Sequence, residues 1–244
     1  MTRPTGALAT FEYPGRLLAL GRESSAERAV IIYAITGRSP SSLARKLVFR
    51  DAGIWVEPTD EDVLNTGNAE LLVYPAVLFE ARGIAASNGR QTADILARLR
   101  EGGGPVQVLA GALESWDYEP DAPNFTPRIS GCLIDGRAGL GLVRRGPGGV
   151  TMRDFFEFPL RPGEARMIAT YEGPNRDPLP GFSGDPRELP VEGRTPGETA
   201  ESVYEALEPR APGRDFRVAV ACVFASLARP ADFLYAIVNR HERA

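Results

Sequence analysis

The stretch RISGCLIDGRAGLGLVRRGPGGVTMRDFFEF (128–158) decides the fold. It holds three short runs rich in apolar and β-branched residues, at 128–134, 138–145 and 149–158. They are separated only by Asp-Gly-Arg and Gly-Pro-Gly, so each run should turn straight back on the last as antiparallel strands. Strands arrive the same way elsewhere. PGRLLALG (14–21) and AVIIYAIT (29–36) flank the polar turn RESSAE, and 46–57 reads as a hairpin turning at Asp51–Gly53. Residues 69–80 form a strand that Pro75 marks as an edge or a bulge, and EARMIATY (164–171) is a further strand. Two continuous apolar runs, 215–224 and 232–239, read as strands buried on both faces.

Helices are few. RQTADILARLRE (90–101) puts Ile95, Leu96 and Leu99 on one face and stops at Gly102–Gly104. PVQVLAGALES (105–115) follows with Pro105 in its first turn. Thr195-Pro-Gly-Glu198 opens a third helix as a capping box, with Ala200, Val203 and Leu207 as its buried stripe. Residues 172–197 read as a long irregular loop, a kind often tied to function. Strands in runs rather than alternating with helices predict an α+β fold of two packed, mostly antiparallel sheets with helices outside. The whole chain, 1–244, reads as one domain.

Composition narrows the chemistry. The 244 residues carry a net charge of −4 and no dense basic block, which argues against nucleic acid as a partner. No apolar run approaches the ~20 residues that cross a bilayer, and no signal peptide is visible, so the expectation is a cytoplasmic protein that does not engage a membrane. Cys132 and Cys222 sit in apolar stretches and read as buried thiols. The one histidine, His241, lies four residues from the end. That disfavours a Ser-His-Asp triad and a His-ligated metal site, so any chemistry must come from carboxylates, Tyr, Arg, Asn and hydroxyls.

Three polar clusters stand out. WDYEPDAPNFTPRISG (116–131) is stiffened by three prolines and can hold Glu119, Asp121, Asn124, Thr126 and Arg128 in place. TGRSPSSLAR (36–45) offers Arg38 and Arg45 as an anion clamp, with Ser39, Ser41 and Ser42 beside them, or else a solvated loop capping a short helix. ASNGRQT (86–92) leads into a helix whose N-terminus suits an anion or a carbonyl oxygen, or is a plain turn with an Asn or Thr cap. Tyr74 sits in an apolar strand, where a core role is the commoner one. Thr2 would be exposed by removal of Met1, but its flexible surroundings make a poor nucleophile site.

Taken together, YPGR (13–16), YAITGRS (33–39) with Arg45, SNGRQT (87–92), DYEPDAPNFTPRISG (117–131), FFE (155–157) and TYEG (170–173) resemble the archaeal-type IMP cyclohydrolase family. The run YEPDAPNFTPRISG is the specific part, and the tail after about 210 carries little. The resemblance implies a four-layer αββα sandwich similar to the N-terminal-nucleophile hydrolases, without self-cleavage. It implies dehydrative closure of 5-formamidoimidazole-4-carboxamide ribonucleotide to IMP with no metal and no cofactor. On that reading Glu119 manages protons at the amide, and Arg38, Tyr74 and Asn88 polarise the formyl oxygen and orient the base. Arg45, Asn124, Thr126 and Arg128 hold phosphate, ribose and carboxamide, and Phe125 stacks on the imidazole. The partner is a small purine-precursor nucleotide, and a homo-oligomer is allowed without a fixed number. Competing readings are closure of a modified imidazole or C-nucleotide in a secondary pathway, a non-catalytic purine-nucleotide-binding protein, and an amide hydrolase with a processed N-terminal nucleophile.

Overall fold

The 128–158 stretch folds back on itself twice in a computed structural model that describes residues 8–60, 73–208 and 215–243. In chain order the strands are β1 (Arg16–Arg22), β2 (Arg28–Thr36), β3 (Arg45–Arg50), β4 (Gly53–Pro58), β5 (Tyr74–Glu80), β6 (Gly83–Ser87), β7 (Arg128–Ile134), β8 (Arg137–Arg145), β9 (Thr151–Phe158), β10 (Glu164–Ala169), β11 (Arg187–Pro190), β12 (Arg217–Ser226) and β13 (Phe233–Asn239). One sheet runs β11-β10-β1-β2-β12-β13 and the other β3 to β9 in sequence order, with every neighbouring pair antiparallel. The helices are α1 (Pro40–Leu43), α2 (Gln91–Glu101), α3 (Pro105–Ala112) and α4 (Pro196–Ala206).

Alternation along the strands builds the layers. Leu18, Leu20, Ile31, Tyr33, Ile35, Ala221 and Val223 face Leu47, Ile54, Val56, Ile84, Ile129, Leu140 and Leu142 of the other sheet in the central core. The opposite faces of the same strands, with Leu17, Val30, Ile32, Val220 and Cys222, pack under Ala200, Val203 and Tyr204 of α4. On the other side Ala85, Cys132 and Val143 meet Ile95, Leu99, Val108 and Leu109 of α2 and α3. The expected two sheets with helices outside are therefore present. Both cysteines are free and buried, and burial pushes the Cys132 thiol up to about 12.

Local chemistry explains the turns. Asp135 and Gly136 have φ of 49° and 72°, the two left-handed positions of a tight hairpin that Asp-Gly suits. Asp51 and Ala52 make a similar turn without glycine (φ 48° and 53°), and Gly53 already belongs to β4. Pro75 marks a bulge and not an edge: β5 lies inside its sheet, and its register against β4 slips between Ile54 and Trp55. Residues 69–72 of the expected strand lie outside the described residues, as does Thr2.

Three expectations need correction. The 232–239 run is not buried on both faces, because β13 is an edge strand with Leu234 55% and Tyr235 44% exposed. The apolar run of β12, by contrast, is sandwiched. The 172–197 stretch is not wholly irregular: it contains β11, which pairs with β10. The capping box of α4 is half formed. Thr195 accepts from the Glu198 N–H at 3.1 Å, but the Glu198 carboxylate reaches back to the N–H of Arg194.

Candidate functional site

The polar clusters meet at one end of the two sheets. Tyr13, Arg16, Arg38, Ser39, Ser41, Ser42, Arg45, Glu119, Asp121, Asn124, Thr126, Tyr171 and Leu179 line a cleft of about 330 Å³. Five of the nine residues singled out from sequence, Arg38, Arg45, Glu119, Asn124 and Thr126, are among them.

Glu119 is held from behind. The residue is 2% exposed, and its backbone N–H donates to the Thr126 carbonyl at 2.9 Å, closing the proline-rich loop on itself. Asn88 does not cap α2, whose start at Arg90 has no side-chain cap. It spends its amide on the loop instead. Nδ2 donates to the Pro127 carbonyl at 3.0 Å and reaches Glu119 Oε1 at 3.4 Å, while Oδ1 accepts from the Ile129 N–H and from Gln91 Nε2. Arg128 Nη1 stands 3.9 Å from the same carboxylate oxygen. Arg128 does not line the cleft: with Asn88, Arg90 and Trp116 it faces a separate groove on the far side of Glu119. Burial pushes the Glu119 carboxyl above the ordinary carboxylate range. Arg16, Arg128 and Arg45 pull it back only in part, and Asp121 adds to the rise.

Arg16 is a cleft residue that sequence reasoning missed. It opens β1, and its Nε is enclosed with no hydrogen-bond partner among the described residues. Burial works against its charge, but Tyr74, Glu119, Tyr33 and Tyr13 outweigh that, so its pKa stands above the usual arginine value. A buried guanidinium N–H without a partner is costly unless something occupies the space before it. The available signal was YPGR itself, an arginine at the mouth of an otherwise apolar strand.

Arg45 is almost fully buried. It donates from Nε to the Ser42 carbonyl at 2.9 Å and from Nη2 to the Thr36 carbonyl at 3.2 Å. Burial, and then the nearby Arg16, lower it to about 10. Two guanidinium groups that repel each other in a shared cleft favour an anion between them. Ser39 and Ser42 cap α1 reciprocally, so the capping alternative holds for them even though they line the cleft. Arg38, at the rim, donates to Asn175 Oδ1 at 3.0 Å and pairs with Asp177 at 2.8 Å, tying the 172–186 segment across the opening. Leu179 N–H bonds Asn124 Oδ1 at 2.9 Å and pins the same segment to the proline-rich loop.

Two singled-out residues lie apart. Tyr74 is buried behind the cleft with its hydroxyl 2.9 Å from that of Tyr33, one phenol from each sheet. Phe125, at φ +48°, lines an adjoining groove, where Tyr118 meets its ring edge-on and the Arg145 guanidinium lies 4.0 Å over it. Among the described residues, no group of three or more His, Cys, Asp or Glu side chains is placed to hold a metal ion. Nor is any helix there long and apolar enough to cross a membrane.

Fold and cleft together define a two-sheet α+β protein whose cleft joins a buried carboxyl to a set of arginines. The family model described as IMP cyclohydrolase-like protein matches residues 13–225, and the chain belongs to that family. It is 30% identical to the IMP cyclohydrolase of Methanothrix thermoacetophila over 168 residues, 68% of this chain and 78% of that protein. It is also 30% identical to that of Natronomonas pharaonis over 180 residues, 74% of this chain and 84% of that protein. The IMP cyclohydrolase of Haloarcula marismortui is 31% identical over 162 residues, 66% of this chain and 75% of that protein. The match reaches into β12, further than the motifs alone extend.

Proposed function

We propose that the chain is an IMP cyclohydrolase that closes 5-formamidoimidazole-4-carboxamide ribonucleotide to IMP and water in the cytoplasm, the whole chain acting as one domain. The observation that carries this reading, beside the family membership, is Glu119: a carboxyl buried against arginines at the floor of a cleft of nucleotide size. We also read the layers as the αββα sandwich similar to N-terminal-nucleophile hydrolases, supported by separate apolar clusters between the sheets and under each helical layer.

The carboxamide nitrogen attacks the formyl carbon, and the C–N bond forms as the carbonyl π pair moves to oxygen. Ionised Glu119 takes the amide proton and passes it to the oxygen, which becomes a hydroxyl; the second proton of the departing water is the one the formamido nitrogen gives up. That hydroxyl then leaves as water as the formamido N–H is lost and the C=N bond forms. A carboxyl raised above its ordinary range suits both the base and the acid step. The reaction is intramolecular, so holding the two groups in line supplies much of the acceleration, up to ~7–11 kcal/mol in favourable systems. Arg16, with its free Nε, is the donor best placed to meet the developing oxyanion. Donors of this kind are worth about 3–4 kcal/mol each. Arg38 and Arg45 take the phosphate, Asn124 the middle of the nucleotide, and Asn88 and Arg128 position Glu119. Tyr74 supports Arg16 from below.

The test is absorbance-monitored IMP formation in EDTA, with Glu119→Gln and Arg16→Met alongside. Turnover by the parent, falling roughly 10²–10⁴-fold in Glu119→Gln, is the expected result. A folded protein that binds IMP but never turns over would select the binding-protein reading instead. A protein that closes only a modified imidazole or C-nucleotide would move it to a secondary pathway.

A further inference from the structure

Tyr171 belongs to TYEG, a matching stretch to which no site residue was assigned, and it lines the same cleft as Arg45. Its ring stacks on Tyr13 with centroids 5.8 Å apart, and its hydroxyl hydrogen-bonds Thr126 Oγ1. Thr126 Oγ1 in turn bonds Asp121 Oδ2, while Asp121 Oδ1 accepts the Thr126 backbone N–H at 2.6 Å. The direction of this chain is fixed at one end. A carboxylate has no proton to give, so Thr126 must donate its single hydroxyl proton to Asp121. The threonine oxygen is then an acceptor towards Tyr171, and the tyrosine spends its own proton there. What the phenol oxygen has left for the cleft is lone pairs only.

We infer that Tyr171, oriented by the Asp121–Thr126 pair, is an obligate acceptor in the cleft and reads a hydrogen-bond donor of the bound nucleotide. Two donors of the proposed ligand have this chemistry: a ribose hydroxyl, and the N–H of the ring nitrogen that comes from the carboxamide. The inference rests on the function proposed above. It deepens that reading by naming a residue that selects the ligand, and it makes Asp121 and Thr126 positioning residues that act through Tyr171. A tyrosine in this place would otherwise be taken for a donor. The geometry assigns it the opposite polarity.

The test is calorimetric titration of the whole chain with four ligands: IMP, its 2′-deoxy and 3′-deoxy analogues, and purine riboside 5′-monophosphate, which lacks the ring N–H. The parent protein is expected to bind one of the three analogues about tenfold or more weaker than IMP, the cost of leaving a buried acceptor unpaired. Which analogue is penalised identifies the donor. Tyr171→Phe is expected to lose that discrimination by weakening IMP and the two analogues that keep the donor to the level of the penalised one. Asp121→Asn can donate to Thr126 and reverse the chain, so it is expected to shrink the same preference, whereas a merely structural role would weaken all four ligands alike and leave the preference in place. Equal binding of all four ligands by the parent, or a preference that survives in Tyr171→Phe, overturns the inference while leaving the nucleotide-binding reading intact. Failure of the folded parent to bind IMP at all overturns both. The parent comparison varies only the ligand, so equal binding there overturns the inference even if a variant is unstable.

Discussion

A carboxyl taken out of water beside three guanidinium groups can end on either side of its ordinary pKa, and at Glu119 burial wins. Two consequences follow with definite sign. In catalysis the ionised form is the base, so the acid limb of the kcat/KM profile should fall at a pH above the ordinary carboxylate value of about 4.3. It should be absent from the residual activity of Glu119→Gln. In stability, a group whose folded pKa is raised favours the fold while it stays protonated, and that contribution is lost as pH rises through the folded pKa. Glu119→Gln keeps the neutral form at every pH. Its Tm should match the parent in the acid range, where both side chains are uncharged, and exceed it at neutral pH. A variant that is less stable than the parent at pH 7 would mean that the arginines, and not burial, govern this carboxyl.

At the scale of elements, the site depends on where two strands begin and end. Gly15 has φ +70°, and a Cβ there would collide with Thr170 Oγ1 and come 2.7 Å from the Tyr171 ring. That same Thr170 hydroxyl accepts the Arg16 N–H at 3.1 Å and donates to the Pro14 carbonyl at 3.0 Å. Gly15→Ala must therefore strain its backbone and push β1 from β10. It is expected to cost about 1–3 kcal/mol of stability and to reduce turnover as well, because Arg16 and Tyr171 flank the displaced bond. Thr195→Ala is the contrasting case. It removes the cap of α4, far along the chain from any cleft residue, and should cost about 1 kcal/mol by thermal denaturation with kcat unchanged. The strands themselves were legible because alternation and Asp-Gly turns are local signals, and so was the proline-rich loop that carries Glu119. Arg16 and Tyr171 were not, because each looks like the ordinary end of an apolar strand. Only the pairing of β1 with β10, some 150 residues apart in the chain, brings them to one wall. Asn88 was legible as polar but not in its direction, since the loop competes for its amide more strongly than the helix start does. The exposure of β13 was invisible for a related reason: an apolar run does not say whether a further strand will cover it.

For the whole molecule, the arrangement separates a polar end from an apolar one. Arg45, at the start of β3, lines the cleft, and Phe49, four residues on, reaches a ring cluster that ties the two sheets together. Phe79 and Phe233 stack with centroids 3.8 Å apart, and Phe49 and Tyr235 at 4.5 Å, so that β3 and β5 of one sheet are clasped to β13 of the other. The hydroxyl pair of Tyr33 and Tyr74 joins the same two sheets behind the cleft. If the cluster serves the fold and the cleft serves the chemistry, the two should come apart under mutation. Phe233→Ala removes the ring that contacts Phe49, Phe79 and Tyr235 at once. It is expected to cost about 3 kcal/mol, a drop in Tm of roughly 6–12 °C for a chain of this size. At a temperature well below that Tm, kcat and KM should stay within about twofold of the parent, since none of the four rings of the cluster lines the cleft. Calorimetry with steady-state kinetics on the same preparation decides the point. A loss of kcat without a loss of Tm would mean that the clasp transmits strain to Arg45 through β3, and that the two ends of the sandwich are mechanically one.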